Sequence, residues 1–313
     1  METKWLEDFV SLAETRSFSR SAQLRHVTQP AFSRRIQSLE AWAGVDLVDR
    51  SSYPTTLTPA GQTLYAQALE LLQSLQGTRA MLRTHVSAGH DVIEFAMPHT
   101  LAFTFFPGWM AGLRERFGPV RSRLMAFNVH DAVMRLVEGG CDVLIAYHHP
   151  ALPLQLDPER YDMLVLGQET LAPYAQPGAD GQPRYRLPGA TAQPLPFLAY
   201  APGAYLGTAT EAILRQAGVP IHLDRVYETD MAEGLKLMAL QGHGLAFLPS
   251  SAVRKEVAQG LLVPLAPAQE PPWCLPLEIR AYRARVGLRP SPRRDLQALW
   301  AHLAADAGVP SQA

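Results

Sequence analysis

The chain has 313 residues, enough for two or three domains, and its 47% hydrophobic and 18% charged residues exclude general disorder. No apolar run is long enough to cross a bilayer, and the N-terminus lacks signal-peptide features, so no membrane partner and a cytoplasmic location are expected. The net charge is only −1, yet five arginines and no acidic residue lie between Arg16 and Arg35. This local imbalance predicts a phosphate-binding surface.

The first two elements are predicted to be helices. Apolar residues between Trp5 and Ala13 recur at steps of three and four, which is typical of an amphipathic helix. Ser19 is expected to be the N-cap of a short second helix that ends near Leu24. His26 then begins a tight turn, so the two helices are expected to pack together before a third begins.

A third helix and a two-stranded wing are expected next. Thr28 is the predicted N-cap, Pro30 fits the first helical turn, and the helix should run to about Trp42 and end at Gly44. Residues 47–50 and 56–58 flank a polar turn and are predicted to form the wing. The order of helix, turn, basic helix and wing favours a winged helix-turn-helix domain over residues 1–58.

The outer face of the third helix is the predicted DNA-reading surface. Gln29 can pair bidentately with adenine and Arg34 with guanine. Arg35 and Arg50 are expected to hold phosphate, and Arg25 is a weaker candidate for the same role. The predicted DNA-binding set is Arg25, Thr28, Gln29, Pro30, Ser33, Arg34, Arg35, Gln37 and Arg50. The alternative is a three-helix packing module whose arginines are only solvated.

Many positions of this segment follow a fixed pattern: Phe9, Ser17-Phe18, Ala22, Leu24, Gln29 to Ser33, Ile36, Leu39-Glu40, Gly44, Leu47, Arg50, Leu57-Thr58 and Ala60-Gly61. The pattern resembles the N-terminal signature of LysR-type transcriptional regulators. Two positions depart from it: Val48 stands where the family usually has phenylalanine, and Ser21 where it commonly has a small apolar residue. The resemblance implies a regulator that binds double-stranded promoter DNA.

A long linker helix is predicted over residues 59–89, with Thr58 as N-cap and Pro59 at the first helical position. A seam for a partner helix is formed by Tyr65, Ala68, Leu72, Leu75 and Leu82. A dimer through this seam would read an inverted repeat with half-sites about one helical turn apart. The family resemblance implies a homodimer, commonly assembled into a homotetramer. The alternative is a helix that lies on its own domain.

The remaining two thirds alternate between strands and helices, which predicts α/β layers. Strands are expected at 92–96, 121–128, 142–147, 161–175, 197–200, 221–227, 245–248 and 276–282, and helices at 99–117, 131–138, 204–216, 231–241 and 292–305. Residues 176–196 are predicted to be a surface loop. Two halves follow, one of about 90–163 and 267–313 and one of about 164–266. The resemblance implies a periplasmic-binding-protein-like effector domain over 90–313.

The predicted effector site lies between the two halves, where strand ends of an open α/β fold face a crevice. His99 and Thr100 are the first candidates because a helix N-terminus can hold an anion. The full predicted set is His99, Thr100, Tyr147, His148, Tyr200, Gly203, Asp230 and Met231. For each single residue, ordinary loop packing is an equal alternative.

Metal, cofactor and catalytic sites are not predicted. The histidines match no metal-ligand spacing, and Cys141 and Cys274 are expected to be separate buried thiols, although a redox pair is an alternative. No Walker motif, dinucleotide fingerprint or nucleophile elbow occurs. The functional alternatives are a cytoplasmic solute-binding protein, against which the winged module argues, and an enzyme that uses the cleft, against which the missing catalytic motifs argue.

Three stretches resemble the hypochlorite-responsive subgroup of LysR-type regulators: residues 2–6, 30–36 and 229–235. For this subgroup, methionine oxidation is a proposed sensing chemistry, and Met231 lies in the third stretch. Oxidation would convert an apolar thioether into a polar sulfoxide. Against this, Leu206 stands where another sensing methionine is expected. A buried packing role for Met231 is the alternative.

Overall fold

The computed structural model describes residues 2–51, 54–84, 92–154, 156–266, 272–285 and 293–306. The winged module comprises helices α1 (Thr3–Thr15), α2 (Phe18–Leu24) and α3 (Gln29–Ala43), followed by strands β1 (Val48–Asp49) and β2 (Thr56–Leu57). The two strands pair antiparallel. Phe9, Phe32 and Ile36 are fully buried between the helices. The predicted three helices and wing are therefore confirmed.

One predicted cap was wrong. Ser17, not Ser19, is the N-cap of α2, and its Oγ accepts a hydrogen bond from the Arg20 backbone N at 3.3 Å. The backbone of Ser17 is extended, as an N-cap requires, whereas Ser19 already lies inside the helix. Ser19 instead donates its hydroxyl to Oε1 of Gln29 at 3.3 Å, which links the second helix to the start of the third.

Two glycines of the family pattern are required by the backbone. Gly44 ends α3 with a φ of 73°, a left-handed conformation that L side chains rarely adopt. At Gly61, an added Cβ would lie 2.0 Å from the carbonyl oxygen of Leu47. The next helix therefore approaches the wing closely only because residue 61 has no side chain.

The two departures from the family pattern both lie in the core of the winged module. Ser21 is fully buried, and its hydroxyl forms a 2.6 Å hydrogen bond with the hydroxyl of Thr15. Val48 is also buried. The polar side chain at position 21 is therefore paired locally, so the departure costs no unsatisfied buried hydroxyl.

The linker helix α4 spans Pro59–Thr84, and the hydroxyl of Thr58 accepts the Gly61 backbone N at 3.0 Å. Within the predicted seam, Ala68 and Leu72 are buried in one cluster with the apolar residues of α1. Around Ala68 and Leu72, α4 therefore packs on its own domain, as the alternative predicted. Leu71 and Leu75 are 47% and 52% exposed. The side chain of Leu82 lies outside the described residues.

The second unit contains the remaining elements. Strands are β3 (Val92–Pro98), β4 (Arg121–Phe127), β5 (Val143–His148), β6 (Tyr161–Ala175), β7 (Leu195–Tyr200), β8 (Leu223–Thr229), β9 (Ala246–Pro249), β10 (Val263–Pro264) and β11 (Leu275–Ala284). Helices are α5 (His99–Thr104), α6 (Phe106–Phe117), α7 (Val129–Val137), α8 (Tyr205–Gln216), α9 (Ala232–Leu240), α10 (Ser250–Ala258) and α11 (Arg294–Asp306).

Two long strands join the halves of this unit. The main sheet has the order β10-β6-β11-β5-β3-β4, and β9 also pairs with β6. Strands β3, β4 and β5 run parallel, whereas β11 is antiparallel to both β5 and β6. A separate parallel pair, β7 and β8, belongs to the second half. The predicted crossing strands and two-subdomain fold are confirmed.

Several predicted boundaries change. The helix expected over 99–117 is two helices that meet at Phe105, because Pro107 lacks the N–H of a continuous helix and its ring clashes with the carbonyl of Phe103. Helix α10 and strand β10 were not predicted. Residues 176–196 contain turns and two isolated bridges besides the start of β7.

Cys141 is buried and Cys274 half-buried. None of the helices in the described ranges is long and apolar enough to cross a membrane.

Candidate nucleic-acid interface and interdomain cleft

The N-terminal half of α3 forms an exposed polar surface. Thr28, Gln29, Pro30, Arg34 and Gln37 are exposed, and Ser33 is half-buried. The opposite face of the helix carries Phe32 and Ile36 into the core. Helical periodicity thus separates the packing residues from the predicted reading residues.

A buried carboxylate fixes two of the predicted DNA-binding arginines. Asp8 of α1 is fully buried and accepts Nε of Arg25 at 2.8 Å and Nη1 of Arg35 at 3.0 Å. Arg25 also pairs with Glu7, and these hydrogen bonds raise its pKa against the opposing effect of burial. Asp8 therefore ties α1 to the helix-turn-helix. The guanidinium groups of Arg25 and Arg35 are both used in scaffolding this module.

A second acidic residue organises the wing. Glu40 of α3 accepts the backbone N–H groups of Leu47 and Val48 at 3.1 and 3.3 Å, and Nη2 of Arg50 at 2.5 Å. The Arg50 guanidinium also lies 5.9 Å from the ring centroid of Phe18, within cation–π range. Arg50 keeps 43% of its side chain exposed, so it can face phosphate while Glu40 fixes its position.

Arg34 differs from these arginines. It is exposed, and among the described residues no carboxylate lies within 4.0 Å of its guanidinium. An arginine held by a carboxylate already uses some of its guanidinium N–H groups as donors. Arg34 can instead donate two N–H groups to one bidentate acceptor. The geometry therefore separates the exposed Arg34 from Arg25, Arg35 and Arg50, which carboxylates hold, a distinction that the charge pattern did not contain.

The predicted effector residues lie at two strand ends that face each other. His99 and Thr100 begin α5 after β3, and Met231 is the N-cap of α9 after β8. These three residues line one narrow cavity of about 10 Å³, together with Phe103, Thr104, Ala232, Glu233 and Ala252. This volume holds about one water molecule. Met231 is 39% exposed, so the alternative of a buried packing role is wrong.

Two of the predicted effector residues, Tyr147 and Tyr200, are buried tyrosines outside the cavity lining that the structure describes. Tyr147 is fully buried beside Thr104, and its ring stacks on Tyr205 with centroids 6.4 Å apart. Burial raises the pKa of Tyr147 well above its ordinary value, and the Glu169 carboxylate adds to this effect. The Tyr200 hydroxyl is buried and has no hydrogen-bond partner among the described residues. Burial raises its pKa as well.

Not every predicted residue joins the cavity. His148 ends β5, where burial and the neighbouring Arg280 lower its pKa. Gly203 and Asp230 are exposed and lie outside the cavity lining that the structure describes. His99, Thr100 and Met231 are therefore the three predicted residues brought together there.

Sequence reasoning missed Glu169, a buried carboxylate on β6. It accepts the backbone N of Thr170 at 2.9 Å, the backbone N of Ser251 at 3.3 Å and the Ser251 hydroxyl. Ser251 lies in the first turn of α10, so the chain's own carboxylate occupies that positive helix end. The sequence Pro249-Ser250-Ser251 was the available signal, since serine and proline are typical of helix starts.

Comparison with known proteins agrees with both units. The family "Bacterial regulatory helix-turn-helix protein, lysR family" matches residues 3–62, and "LysR substrate binding domain" matches residues 88–307. The HTH-type transcriptional regulator YjiE of Escherichia coli K12 is 32% identical over 295 residues, or 94% of this chain and 92% of that protein.

Two solved structures resemble the whole chain. DarR of Vibrio fischeri, solved in complex with DNA, is 31% identical with a TM-score of 0.57, covering 97% of this chain and 98% of that one. Full-length HypT of Salmonella typhimurium, described as a hypochlorite-specific LysR-type regulator, is 30% identical with a TM-score of 0.58, covering 98% of each chain.

Proposed function

Since the chain belongs to the LysR family of bacterial transcriptional regulators, we propose that it reads promoter DNA with Gln29 and Arg34 of α3. The observation that carries this assignment is the contrast among the arginines. Arg25, Arg35 and Arg50 are held by carboxylates, and Arg34 is exposed without one among the described residues. In this proposal the held arginines set the register on phosphate, and Arg34 contacts a base edge.

The test is DNA binding by fluorescence anisotropy, with the protein's own upstream intergenic DNA and a scrambled duplex. Replacing Arg34 with alanine should cost about 1–3 kcal/mol on the matched site and much less on scrambled DNA. Arg114→Ala, which removes an exposed arginine of α6, is the matched control and should bind like the wild type.

Two outcomes would contradict the proposal. An equal loss on both duplexes would assign Arg34 to phosphate instead of a base. Binding that is absent at every promoter, or insensitive to salt, would remove the DNA-reading role, because phosphate contacts release counterions.

A homodimer through α4 is the proposed assembly, with the homotetramer as a higher state. Support comes from Leu71 and Leu75, which lie four residues apart and are about half exposed, while Ala68 and Leu72 pack on α1. Apolar residues spaced in this way form one stripe that a second helix can cover. Leu75→Glu should shift the sedimentation coefficient towards the monomer, and an unchanged coefficient would move the interface elsewhere.

The cleft at His99, Thr100 and Met231 is the proposed effector site, where a ligand or oxidant shifts the populations of two effector-domain states. No catalysis is assigned to it, and the protein would act in the cytoplasm, where its DNA lies.

The hypothesis that hypochlorite oxidises Met231 rests on the similarity to HypT and on the partial exposure of Met231. Leu206 is buried and is not a thioether, so only Met231 could supply this chemistry at these two positions.

Mass spectrometry after hypochlorite treatment tests the oxidant reading. Hypochlorous acid would transfer its oxygen to the thioether, which gives the sulfoxide and releases chloride and a proton. Met231 should then oxidise before the buried methionines, and Met231→Leu should abolish the change in DNA affinity. An unchanged response in that variant would direct the search to small molecules.

A further inference from the structure

A larger cavity than the effector cleft lies between the winged module and the effector domain. Its volume is about 530 Å³, within the range of small-molecule pockets. The end of α1, strand β2 and helix α4 form one side, and the segment before β6 forms the other. The apolar part of the lining is supplied by Leu12, Leu57, Leu154 and Leu156.

The cavity shares residues with a smaller chamber of about 80 Å³. Glu14, Tyr65, Leu156 and Asp157 line both, and Arg160 lines the smaller one. The larger cavity, whose lining also includes Arg16, Thr55, Thr56 and Gln62, therefore continues into the smaller chamber. Glu14 belongs to the winged module and Arg160 to the effector domain, so the chamber joins the two units.

Two of the three charged residues that line the smaller chamber, Glu14 and Arg160, have buried polar atoms without a partner among the described residues. Oε1 of Glu14, and Nε and Nη2 of Arg160, are buried without a hydrogen bond to any described residue. No Glu14–Arg160 ion pair within 4.0 Å is present in the described part of the chain. Buried polar groups are almost always satisfied, so three such atoms around one chamber indicate a missing partner.

Among the described residues, no cationic group contributes to the pKa of the Glu14 carboxyl group. Burial and the nearby Glu138 raise its pKa to about 8, although a hydrogen bond from Tyr65 acts in the opposite direction. Glu138 itself has its pKa raised to about 7 by burial and by Glu7, with Arg25 and Arg135 opposing. A cationic group placed against Glu14 would restore its charged form.

We propose that this interdomain cavity binds an α-amino acid with an apolar side chain. The ammonium group would lie on Glu14, the carboxylate would accept from Nε and Nη2 of Arg160, and the side chain would extend into the larger cavity. An α-amino acid carries its two charges one carbon apart, which suits a chamber of this size. The leucines of the lining would contact the apolar end.

Such a ligand contacts both units at once and therefore stabilises their docked arrangement. A ligand that prefers one arrangement shifts the population towards it. The free energy by which the ligand changes the affinity for DNA then equals the free energy by which DNA changes the affinity for the ligand. This site is separate from the effector cleft, so its assignment goes beyond the proposed function and does not depend on the ligand of the cleft.

Isothermal titration of the full-length protein with L-leucine tests the site, with 4-methylpentanoate and isopentylamine as matched probes. 4-Methylpentanoate is leucine without the ammonium group, and isopentylamine is leucine without the carboxylate. L-Leucine should bind with a Kd below about 1 mM, and each probe at least about tenfold more weakly. This comparison uses only the wild-type chain, so it does not depend on the folding of a variant.

Variants then locate the binding. Glu14→Gln and Arg160→Met should each weaken L-leucine binding at least about tenfold, or 1.4 kcal/mol. Glu159→Gln, which changes an exposed neighbour of Arg160, should leave the Kd unchanged. Circular dichroism confirms that each variant is folded.

Three results would overturn the proposal: no binding of L-leucine, equal binding of the two probes and L-leucine, or unchanged affinity in Glu14→Gln. The last result would place the amino acid elsewhere, for example in the effector cleft. Loss of promoter binding in Arg34→Ala with intact L-leucine binding would keep the two assignments distinct.

Discussion

Asp8 offers the sharpest test of how the winged module is held together. It is fully buried and accepts hydrogen bonds from Arg25 and Arg35, whose side chains are only 23% and 28% exposed. Asp8→Asn keeps the shape of the side chain and removes its charge. Two partly buried guanidinium groups then lose their common counter-charge.

The expected cost follows from this geometry. Removing one partner of a buried ion pair costs about 3–5 kcal/mol. Arg25 and Arg35 retain some contact with water, so we expect the lower end, about 3 kcal/mol. In a module of this size each kcal/mol lowers the thermal midpoint by about 4–8 °C, so the transition should fall by about 12 °C or more.

Thermal unfolding of the full chain, followed by tryptophan fluorescence, measures this shift, since Trp5 and Trp42 both report on the winged module. The matched control is Glu228→Gln, which changes an exposed carboxylate 4.0 Å from Arg225 and should shift stability by less than about 0.5 kcal/mol. If Asp8→Asn melts within about 2 °C of the wild type, the buried carboxylate does not hold the module as argued.

Three further outcomes are expected. Gly61→Ala places a Cβ against the carbonyl of Leu47 and should destabilise the module by at least about 2 kcal/mol in denaturant unfolding; wild-type stability would contradict the close approach. The pKa of Glu14 is raised in the folded state, so its stabilising contribution should be lost as pH rises from about 4.5 to about 8. The melting midpoint of Glu14→Gln should therefore depend less on pH than that of the wild type. The dependence that remains should come from Glu138, whose pKa is also raised. Tyr200→Phe removes a buried hydroxyl that has no hydrogen-bond partner among the described residues and should raise stability by about 1 kcal/mol, whereas a lower midpoint would reveal a partner for that hydroxyl.

The sequence alone predicted the DNA-binding module and the order of the elements. Apolar spacing located α1 and α3, Thr28 and Gly44 bounded the third helix, and strand β6 was predicted with its observed limits. These signals are local, because periodicity, caps and proline depend on residues only a few positions apart. The same periodicity predicted which face of α3 is exposed.

Only the tertiary structure decided which charged groups face each other. Asp8 meets Arg35 across 27 positions, and Glu169 meets Ser251 across 82. Glu14 and Arg160 reach one chamber from two domains. In the sequence alone, Asp8, Glu14, Arg160 and Glu169 cannot be told apart from solvated surface charges. Such pairings have no local pattern, because they arise when the buried faces of distant elements pack together and exclude water. That packing distinguishes Arg34 from Arg25, Arg35 and Arg50.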